Sequence, residues 1–505
     1  MRFRIGFVSV ALVIAAFVAG AVPAGAGAAC SSKSTPGGEW RSYGHDAANT
    51  RTQPAETALS ATAASRLTAA WVFSTAREGD VSGAINSTPI VANGCVFVGS
   101  GAGVVYALDQ ATGAVQWKRS LDAGQPGLGG AIVGAPAVAN RKVFVLVNET
   151  GGPYAVALDE GSGSVVWRSA PVTTYPGSYT NASSALYRSL LFAGFSAPEG
   201  DSHGQGGWAL IDTATGAIRD VTTTIPPADQ ARGFAGGGIW STPAFDLRNG
   251  YAYVGAGNPF SKTQEDPYTN SILKIDVSSS RATFGQVVAH YKGNPDQYTN
   301  TLETLSQTPI CRATDINGVP YPLDDPACGQ LDLDFGASPN LFSDSVGQPL
   351  VGDLQKSGVY HAARADTMAG RWSTLVGLSC AVCNAASAAY DGTTVYGSAA
   401  PGSTEYALDP TTGAARWQAA IGDGIHYQST SAAAGVVYTV DGAGFLDGWD
   451  AASGHTVLRH QLAEDTGTQM SGVTSSGVAI ADHTVFVTAG GSSGTGTAGY
   501  VVAYR

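Results

Sequence analysis

One stretch of this chain contains a cluster of charged side chains that could take part in a reaction. Asp332 and Asp334 flank a single leucine, and Lys356 follows in the segment Gln-Lys-Ser-Gly. A carboxylate can take a proton from a substrate, and a nearby divalent cation keeps it ionised, as a base requires. An ammonium can stabilise negative charge that develops during a reaction. The alternative interpretation is that the alternating aspartates simply face solvent.

A second group of residues has the types that hard cations and flat ligands prefer. Trp240 stands in Gly-Gly-Gly-Ile-Trp-Ser-Thr-Pro, Asn258 in Gly-Asn-Pro, and Glu199 in Ser-Ala-Pro-Glu-Gly. Amide and carboxylate oxygens suit hard cations, and an indole face suits a flat ring system. Trp240 could instead be a core residue, and Glu199 a solvated loop carboxylate. The position of Trp240 at the start of a repeat, before Ser-Thr-Pro, favours the ligand-binding interpretation.

The framework that must position these residues is a repeated phrase. Its clearest copies span residues 106–117, 154–167 and 406–417, and each reads as a strand, a tight Asp…Gly turn and a second strand that ends on Trp. Regular β-rich repeats of about 40–50 residues predict a propeller or a solenoid. The turn aspartates are Asp109, Asp159, Asp212, Asp276, Asp366, Asp409 and Asp450.

The two ends of the chain indicate how many blades there are. The last repeat ends at residues 499–505 with no strand after it, whereas the strand at 67–75, which carries Trp71, has no repeat before it. If this first strand completes the last blade, the ring closes and no sheet edge is left open. The sequence therefore predicts an all-β, eight-bladed propeller. We expect one domain over residues 30–505, with a long insertion at about 290–330.

Composition excludes some classes of partner. The 66 glycines and the 13 % of charged residues suit many short strands joined by turns. The formal net charge of −12 argues against binding to nucleic acid or to an anionic membrane surface. After the N-terminal segment, no stretch is apolar for the roughly 18 residues that a spanning helix needs. We expect no transmembrane segment.

The N-terminal segment has the pattern of an export signal. Arg2 and Arg4 precede an apolar stretch at residues 7–18, and small residues follow at 24–29. This order is typical of a signal peptide at residues 1–29 and predicts a secreted protein. Cys30 could instead be a lipidation site that anchors the chain at the cell surface, although Gly27 stands where that signal prefers Leu.

Six cysteines in an exported protein suggest three disulfides. Proximity along the chain suggests the pairs Cys311–Cys328, at the tip of the long insertion, and Cys380–Cys383. Cys30 and Cys95 are then left as the third pair. The short spacing of Cys380 and Cys383 could also be a metal or redox motif, but no second motif of this kind completes a zinc site.

Three pairs of segments resemble the dehydrogenases that use pyrroloquinoline quinone (PQQ). They are residues 40–51 with 70–75, residues 236–243 with 254–259, and residues 331–342 with 355–360. The resemblance covers residues from about 40 to 505. Within the family, the chain is most similar to the polyvinyl-alcohol dehydrogenase branch. The repeat alone is weakly specific because non-enzymatic propellers share it.

The resemblance implies a cofactor, a metal and a site. PQQ would lie on the propeller axis with a bound Ca²⁺ or another divalent or lanthanide ion, and Trp240 would stack on it. Asp332 would be the general base, with Asp334 as the second candidate or an added metal ligand. The implied site residues are Asp332 and Asp334 for catalysis, Trp240, Lys356, Ser196 and Asn86 for the cofactor, and Asn258 and Glu199 for the metal.

The implied reaction is oxidation of an alcohol, with a secondary or polymeric alcohol such as polyvinyl alcohol as the candidate substrate. No haem motif is present, so electrons would leave to an external acceptor. The chain lacks the adjacent cysteine pair of many relatives, and Asn86 stands where some have Glu. Two alternatives therefore stay open. One is a non-catalytic propeller that binds protein or polysaccharide, and the other is a degenerate quinoprotein that binds a ligand without turnover.

Overall fold

The repeats fold into a ring of eight antiparallel sheets, each with four strands. The structure, a computed structural model, describes residues 30, 36–121, 131–260, 265–294, 333–378, 384–399, 404–422, 428–468, 477–490 and 498–505. The first strands of most neighbouring sheets contact one another, which places them around the axis. The predicted export signal, most of the predicted insertion and the cysteines at 311, 328, 380 and 383 lie outside the described residues.

The strands are numbered in chain order and the blades from 1 to 8. Strand β1 is Ala69–Ser74. Blades 1 to 4 contain β2 (Ile90–Ala92), β3 (Cys95–Gly99), β4 (Val104–Asp109), β5 (Val115–Ser120); β6 (Ala137–Ala139), β7 (Lys142–Val147), β8 (Tyr154–Asp159), β9 (Val165–Arg168); β10 (Ala185–Tyr187), β11 (Leu190–Phe195), β12 (Gly207–Asp212), β13 (Ile218–Thr223); and β14 (Ala244–Asp246), β15 (Tyr251–Gly255), β16 (Ser271–Asp276), β17 (Val287–Lys292).

Blades 5 to 8 contain β18 (Asn340–Ser343), β19 (Pro349–Leu354), β20 (Val359–Arg364), β21 (Gly370–Leu375); β22 (Ala389–Tyr390), β23 (Val395–Ala399), β24 (Thr404–Leu408), β25 (Ala415–Ala420); β26 (Ser431–Ala433), β27 (Val436–Val440), β28 (Phe445–Asp450), β29 (Thr456–Gln461); and β30 (Ala479–Ala481), β31 (Thr484–Ala489), β32 (Tyr500–Tyr504). The helices of the described residues are short: Ala61–Ala64, Pro227–Gln230 and Leu462–Thr466, with a 3-10 turn at Thr75–Glu78. None of them is long and apolar enough to cross a membrane.

Strand β1 closes the ring, as the sequence predicts. It pairs antiparallel with β32, so the last blade has the order β1-β32-β31-β30 with the N-terminal strand outermost. The first and last strands of the chain therefore share one sheet, and this pairing removes the open edge that either strand would otherwise expose.

The repeated phrase forms a turn stabilised by its aspartate. In blade 1, Asp109 Oδ1 accepts hydrogen bonds from the backbone N–H groups of Ala111 and Thr112. Gly113 has φ of 72°, a left-handed conformation that glycine adopts without strain. A Cβ at Gly113 would also lie 2.5 Å from the ring of Trp71 in the neighbouring blade. The turn needs glycine for its backbone and for its packing.

The tryptophan that ends each phrase joins one blade to the next. Trp117 Nε1 donates to Glu160 O at 2.9 Å, and the same contact recurs from Trp71, Trp167, Trp372 and Trp417 to the carbonyl that follows the turn aspartate. Each indole also packs on the turn glycine of the neighbouring blade. The repeat thus encodes the joint between blades as well as the blade itself.

Both joints of blade 4 are built differently. Between blades 3 and 4, Trp208 on β12 donates to Gly285 O at 3.2 Å. Between blades 4 and 5, Tyr253 Oη and Lys274 Nζ donate to Ala365 O at 2.7 and 2.9 Å. At these two joints such side chains take the place of an outer-strand tryptophan, which the outer strand β29 of blade 7 also lacks.

The segment at 40–53 lies across the inner strands. Its backbone hydrogen-bonds to Val91, Val138, Phe245, Leu341, Tyr390 and Ala432, which belong to six different blades. Arg51 is fully buried in this segment, and its guanidinium donates to the carbonyls of Tyr43 and Thr430 and to Ser431 Oγ. Burial lowers the pKa of Arg51 to about 10. These contacts tie many blades to one stretch of chain.

The residue pair Cys30 and Cys95 forms a disulfide, as the sequence suggests. Cys95 begins β3, so the bond fixes the chain before the propeller to blade 1. The two cysteines are separated by 65 residues in the sequence. A cross-link that closes a loop of this length substantially restricts the unfolded chain.

Candidate functional site

The candidate site is built from two kinds of loop that meet at one mouth of the ring. Trp240 and Asp334 lie in the segments that lead into the innermost strands β14 and β18. Glu199, Asn258 and Lys356 lie in the connections that follow the second strands β11, β15 and β19. Because the sheets are antiparallel, the start of the first strand and the end of the second lie at the same end of a blade.

These loops enclose a cavity of about 160 Å³ between blades 3, 4 and 5. Six of the residues proposed from the sequence line it. The cavity is lined by Tyr179, Asn181, Ser196, Glu199, Gly238, Trp240, Asn258, Phe260, Asp334 and Lys356.

A buried ion pair forms one wall of the cavity. Lys356 Nζ lies 2.7 Å from Asp334 Oδ1, and the two side chains are 8 % and 2 % exposed. The same two residues are joined by their backbones, since Lys356 N donates to Asp334 O at 3.0 Å. A buried pair with such geometry holds both charges in place, and removal of either partner would take this compensation from the other charge.

Glycines pack closely around Trp240, which is partly exposed in the cavity. A Cβ at Gly336 would lie 2.5 Å from the Trp240 ring, and one at Gly257 would lie 3.3 Å from its Nε1. A Cβ at Gly238 would lie 2.5 Å from Ser196 Oγ in the same cavity. Lys356 Nζ lies 5.1 Å from the centre of the indole ring. The arrangement provides a flat aromatic surface with a cation beside it.

Asn258 presents a buried amide to the cavity. Its backbone is held because Gly237 N donates to Asn258 O at 2.9 Å, and Gly236, at φ of 104°, passes so close that a Cβ there would meet that same oxygen at 2.4 Å. The Asn258 side chain is 7 % exposed, and its Nδ2 has no hydrogen-bond partner among the described residues. Buried amide N–H groups are normally satisfied, so this donor suits an acceptor atom of a bound ligand, whereas a cation would be bound by Asn258 Oδ1.

Tyr179 is a site residue that the sequence analysis missed. It pairs with Ser196 through two backbone hydrogen bonds of 2.9 and 2.8 Å, which hold the loop before β10 against the end of β11. Burial, followed by the nearby charge of Glu199, raises the pKa of the Tyr179 phenol. No motif marks this residue, because its position depends on a loop of blade 3 rather than on the repeat.

Two of the proposed residues are not placed in this cavity. Asn86 is buried in the segment that leads into β2, in blade 1, and does not line the cavity. Asp332 lies outside the described residues, so its role stays a prediction. Glu199 lines the cavity and is exposed to solvent.

The residues fit both ligands that the sequence implies. The partly exposed indole of Trp240 and the ammonium of Lys356 suit a flat anionic quinone. Asn258, Glu199 and Asp334 supply amide and carboxylate oxygens, which a hard cation prefers. Among the described residues no three His, Cys, Asp or Glu side chains cluster closely enough to hold a metal by themselves. A cation would therefore need the Asn258 amide and oxygens from a bound ligand.

Comparisons with known proteins place these features in a family. The PQQ_2 family model, described as outer membrane protein assembly factor BamB, matches residues 55–306 and 400–499. The chain is 25 % identical over 352 residues to a polyvinylalcohol dehydrogenase of Pseudomonas sp, covering 66 % of this chain and 50 % of the relative. It is 28 % identical over 276 residues to the polyvinylalcohol dehydrogenase of Sphingopyxis sp. (strain 113P3), covering 50 % of this chain and 40 % of the relative.

A solved structure supports the fold. The quinohemoprotein alcohol dehydrogenase of Comamonas testosteroni superposes with a TM-score of 0.68 at 16 % identity, covering 94 % of this chain and 81 % of that one. At this identity the likeness concerns the propeller itself. The chain spans half or less of the length of the two polyvinylalcohol dehydrogenases it matches.

Proposed function

The chain belongs to the PQQ_2 family of propellers, and we propose that it is a secreted quinoprotein alcohol dehydrogenase that oxidises a secondary or polymeric alcohol such as polyvinyl alcohol. One observation carries the proposal: residues from blades 3, 4 and 5 converge on one cavity. It combines a partly exposed indole, a buried ammonium–carboxylate pair and a buried amide whose Nδ2 has no hydrogen-bond partner among the described residues. A propeller that only binds protein has no need of this combination.

The residues of the chain would divide the work as follows. Trp240 would hold PQQ by stacking on its partly exposed indole. Lys356 would donate to the quinone oxygens, and Asn258 and Glu199 would hold a Ca²⁺ or another hard cation. When bound, these groups supply a two-electron acceptor and a Lewis acid for oxidation of the alcohol.

The proton of the substrate hydroxyl needs a carboxylate. Asp332 is the first candidate and Asp334 the second. Asp334 forms an ion pair with Lys356. A ligand that accepts a hydrogen bond from Lys356 would therefore change the electrostatic environment of the Asp334 carboxylate. Water access is limited on this side because both side chains of the pair are buried. The electrons would then pass to an external acceptor.

The test is reconstitution of the purified chain with PQQ and either Ca²⁺ or a lanthanide. We expect saturable PQQ binding and dye-linked oxidation of a secondary alcohol or of polyvinyl alcohol. Replacing one carboxylate at a time, by Asp332→Asn and Asp334→Asn, assigns the base, because the base variant loses turnover while it still binds PQQ. Asp409→Asn, in an outer turn of blade 6, is the control with a carboxylate removed far from the cavity.

The alternative is a scaffold, which the description of the family model also allows. It predicts that PQQ does not bind and that Trp240→Ala changes nothing beyond stability. If neither PQQ binding nor alcohol oxidation is found with any cation, the dehydrogenase proposal is wrong. PQQ binding without turnover would instead identify a degenerate quinoprotein.

A further inference from the structure

The turn that carries Lys356 is held by a buried hydrogen-bond network. Gln355, which precedes Lys356 at the end of β19, is fully buried, and its side-chain amide faces the end of blade 4. Gln355 Nε2 donates to Asn294 O, and Asn294 N donates to Gln355 Oε1, both at 3.0 Å. The side-chain amide thus pairs with a backbone amide as a strand neighbour would. Asn294 Nδ2 also donates to Ser357 Oγ at 3.0 Å.

The hydrogen-bond network continues to His361 on β20 and fixes the tautomer of its imidazole. Because Gln355 Nε2 is the donor to Asn294, Gln355 Oε1 is an acceptor, so His361 Nε2 at 3.1 Å must carry the proton. His361 Nδ1 then accepts from the Tyr291 hydroxyl at 3.0 Å. His361 is 2 % exposed, and burial lowers its pKa to about 3, so it stays neutral. A neutral histidine can complete the network without adding charge beside Lys356.

Two segments of the connection between blades 4 and 5 form hydrogen bonds to the turn that carries Lys356. Asn294 is the last described residue after β17, and it pairs with Gln355. Asp334 lies just before β18, and its backbone and side chain both contact Lys356. Gly293 leaves room for this arrangement, since a Cβ there would lie 2.6 Å from Gln355 Nε2. Movement of Gln355 would therefore shift the Lys356 backbone relative to Asp334 and Trp240.

We propose that Gln355, supported by His361 and Tyr291, is a positioning residue that holds the Lys356 ammonium against Asp334 and over the edge of the PQQ site. The cofactor part of this inference rests on the proposed function, whereas the position of Lys356 does not. Gln355 touches neither the cavity nor a ligand. It acts through the backbone of the turn, which Asn384 also fixes by donating from Nδ2 to Lys356 O at 3.1 Å.

The test compares two buried glutamines that are changed in the same way. Gln355→Met removes the network, and Gln53→Met is the matched control: Gln53 is 2 % exposed, and its Nε2 donates to Glu39 O and Ile480 O in the segment that crosses the inner strands. Both variants lose a buried amide of the same size. Thermal unfolding of each confirms that it is folded and reports the cost of the lost hydrogen bonds.

The first readout needs no cofactor. Amine labelling of the folded protein, followed by peptide mass mapping, gives the rate at which Lys356 reacts relative to the exposed Lys118. We expect labelling of Lys356 to rise in Gln355→Met and to stay at the wild-type rate in Gln53→Met. The second readout is PQQ affinity, where we expect a loss of about tenfold for Gln355→Met, the equivalent of one well-placed hydrogen bond, and none for the control.

The outcomes are distinguishable. Wild-type labelling of Lys356 in folded Gln355→Met, or an equal rise in both variants, would overturn the positioning role. Wild-type PQQ affinity in Gln355→Met would overturn the cofactor part. If the wild-type chain binds no PQQ, the proposed function fails, and labelling alone decides whether Gln355 positions Lys356.

Discussion

Glu405 is a buried carboxyl whose titration should be visible in the stability of the whole propeller. It lies on β24 in blade 6 and has no exposed surface. Its side chain accepts hydrogen bonds from Ser398 Oγ and, at 3.2 Å, from Thr430 Oγ1. Burial is the main cause that raises the pKa of Glu405 to about 8, and the charge of Asp447 in blade 7 adds to it.

The sign of the effect follows from the direction of this shift. The folded state keeps Glu405 protonated to higher pH than the unfolded state, in which its pKa is the ordinary 4.5. The stability contribution is complete below pH 4.5 and is lost as the pH rises through about 8. Between pH 4.5 and 7 the shift corresponds to about 3 kcal/mol at about 1.4 kcal/mol per pH unit.

The perturbation is Glu405→Gln, which keeps the shape and removes the titration. Unfolding entropy of about 2 cal/mol/K per residue gives about 1 kcal/mol/K for this chain, so 3 kcal/mol corresponds to about 3 °C. Scanning calorimetry from pH 4.5 to 7 should show the melting temperature of the wild type falling by about that amount relative to the variant. Glu464→Gln, at an exposed position, is the control and should follow the wild type. Parallel curves for wild type and Glu405→Gln would refute the buried, protonated state of Glu405.

Two further predictions concern the framework. Trp117→Phe keeps an aromatic ring but loses the hydrogen bond to Glu160 O, so urea unfolding should show that the free energy of unfolding falls by about 1 kcal/mol. Trp117→Ala also removes the ring and should lower it by about 3 kcal/mol or more. Equal losses in the two variants would contradict the joint inferred from the 2.9 Å contact. The double variant Cys30→Ser with Cys95→Ser should be less stable by about 4 kcal/mol, from the chain entropy of a loop of this length. Reduction of the wild type should lower its melting temperature at least to that of the unreduced variant, and an unchanged value would refute a stabilising cross-link.

The propeller was predictable because its signal is local and repeated. The Asp…Gly turn and the following Trp recur along the chain, and the structure explains why they occur together: the turn of one blade is the surface on which the Trp of its neighbour packs. The closing role of β1 followed from Trp71, which has the same partner contact as Trp117. The disulfide between Cys30 and Cys95 was predicted because these two cysteines remain when the other four are paired by their proximity in the sequence.

Other features could not be predicted because they depend on single contacts between distant residues. Nothing in the sequence around Arg51 shows that residues 40–53 would cross the inner strands, since that segment bonds to a different blade every few residues and has no period. Tyr179 and Gln355 are equally unmarked. The ion pair between Asp334 and Lys356 needed the fold, because the sequence gives only their types and order.

The places where the repeat fails are themselves informative about the site. The outer strands β13 and β17 lack the tryptophan that joins other blades, and the joints on both sides of blade 4 use Trp208, Tyr253 and Lys274 instead. Blade 4 also supplies Trp240 and Asn258, and its two neighbours supply the rest of the cavity. The outer strand β29 of blade 7 lacks the tryptophan as well, so the repeat also changes away from the cavity, but two consecutive joints without it occur only around blade 4. Departure from the pattern where the candidate site lies is what a framework adapted to binding would show, because local consistency is given up where function requires other residues.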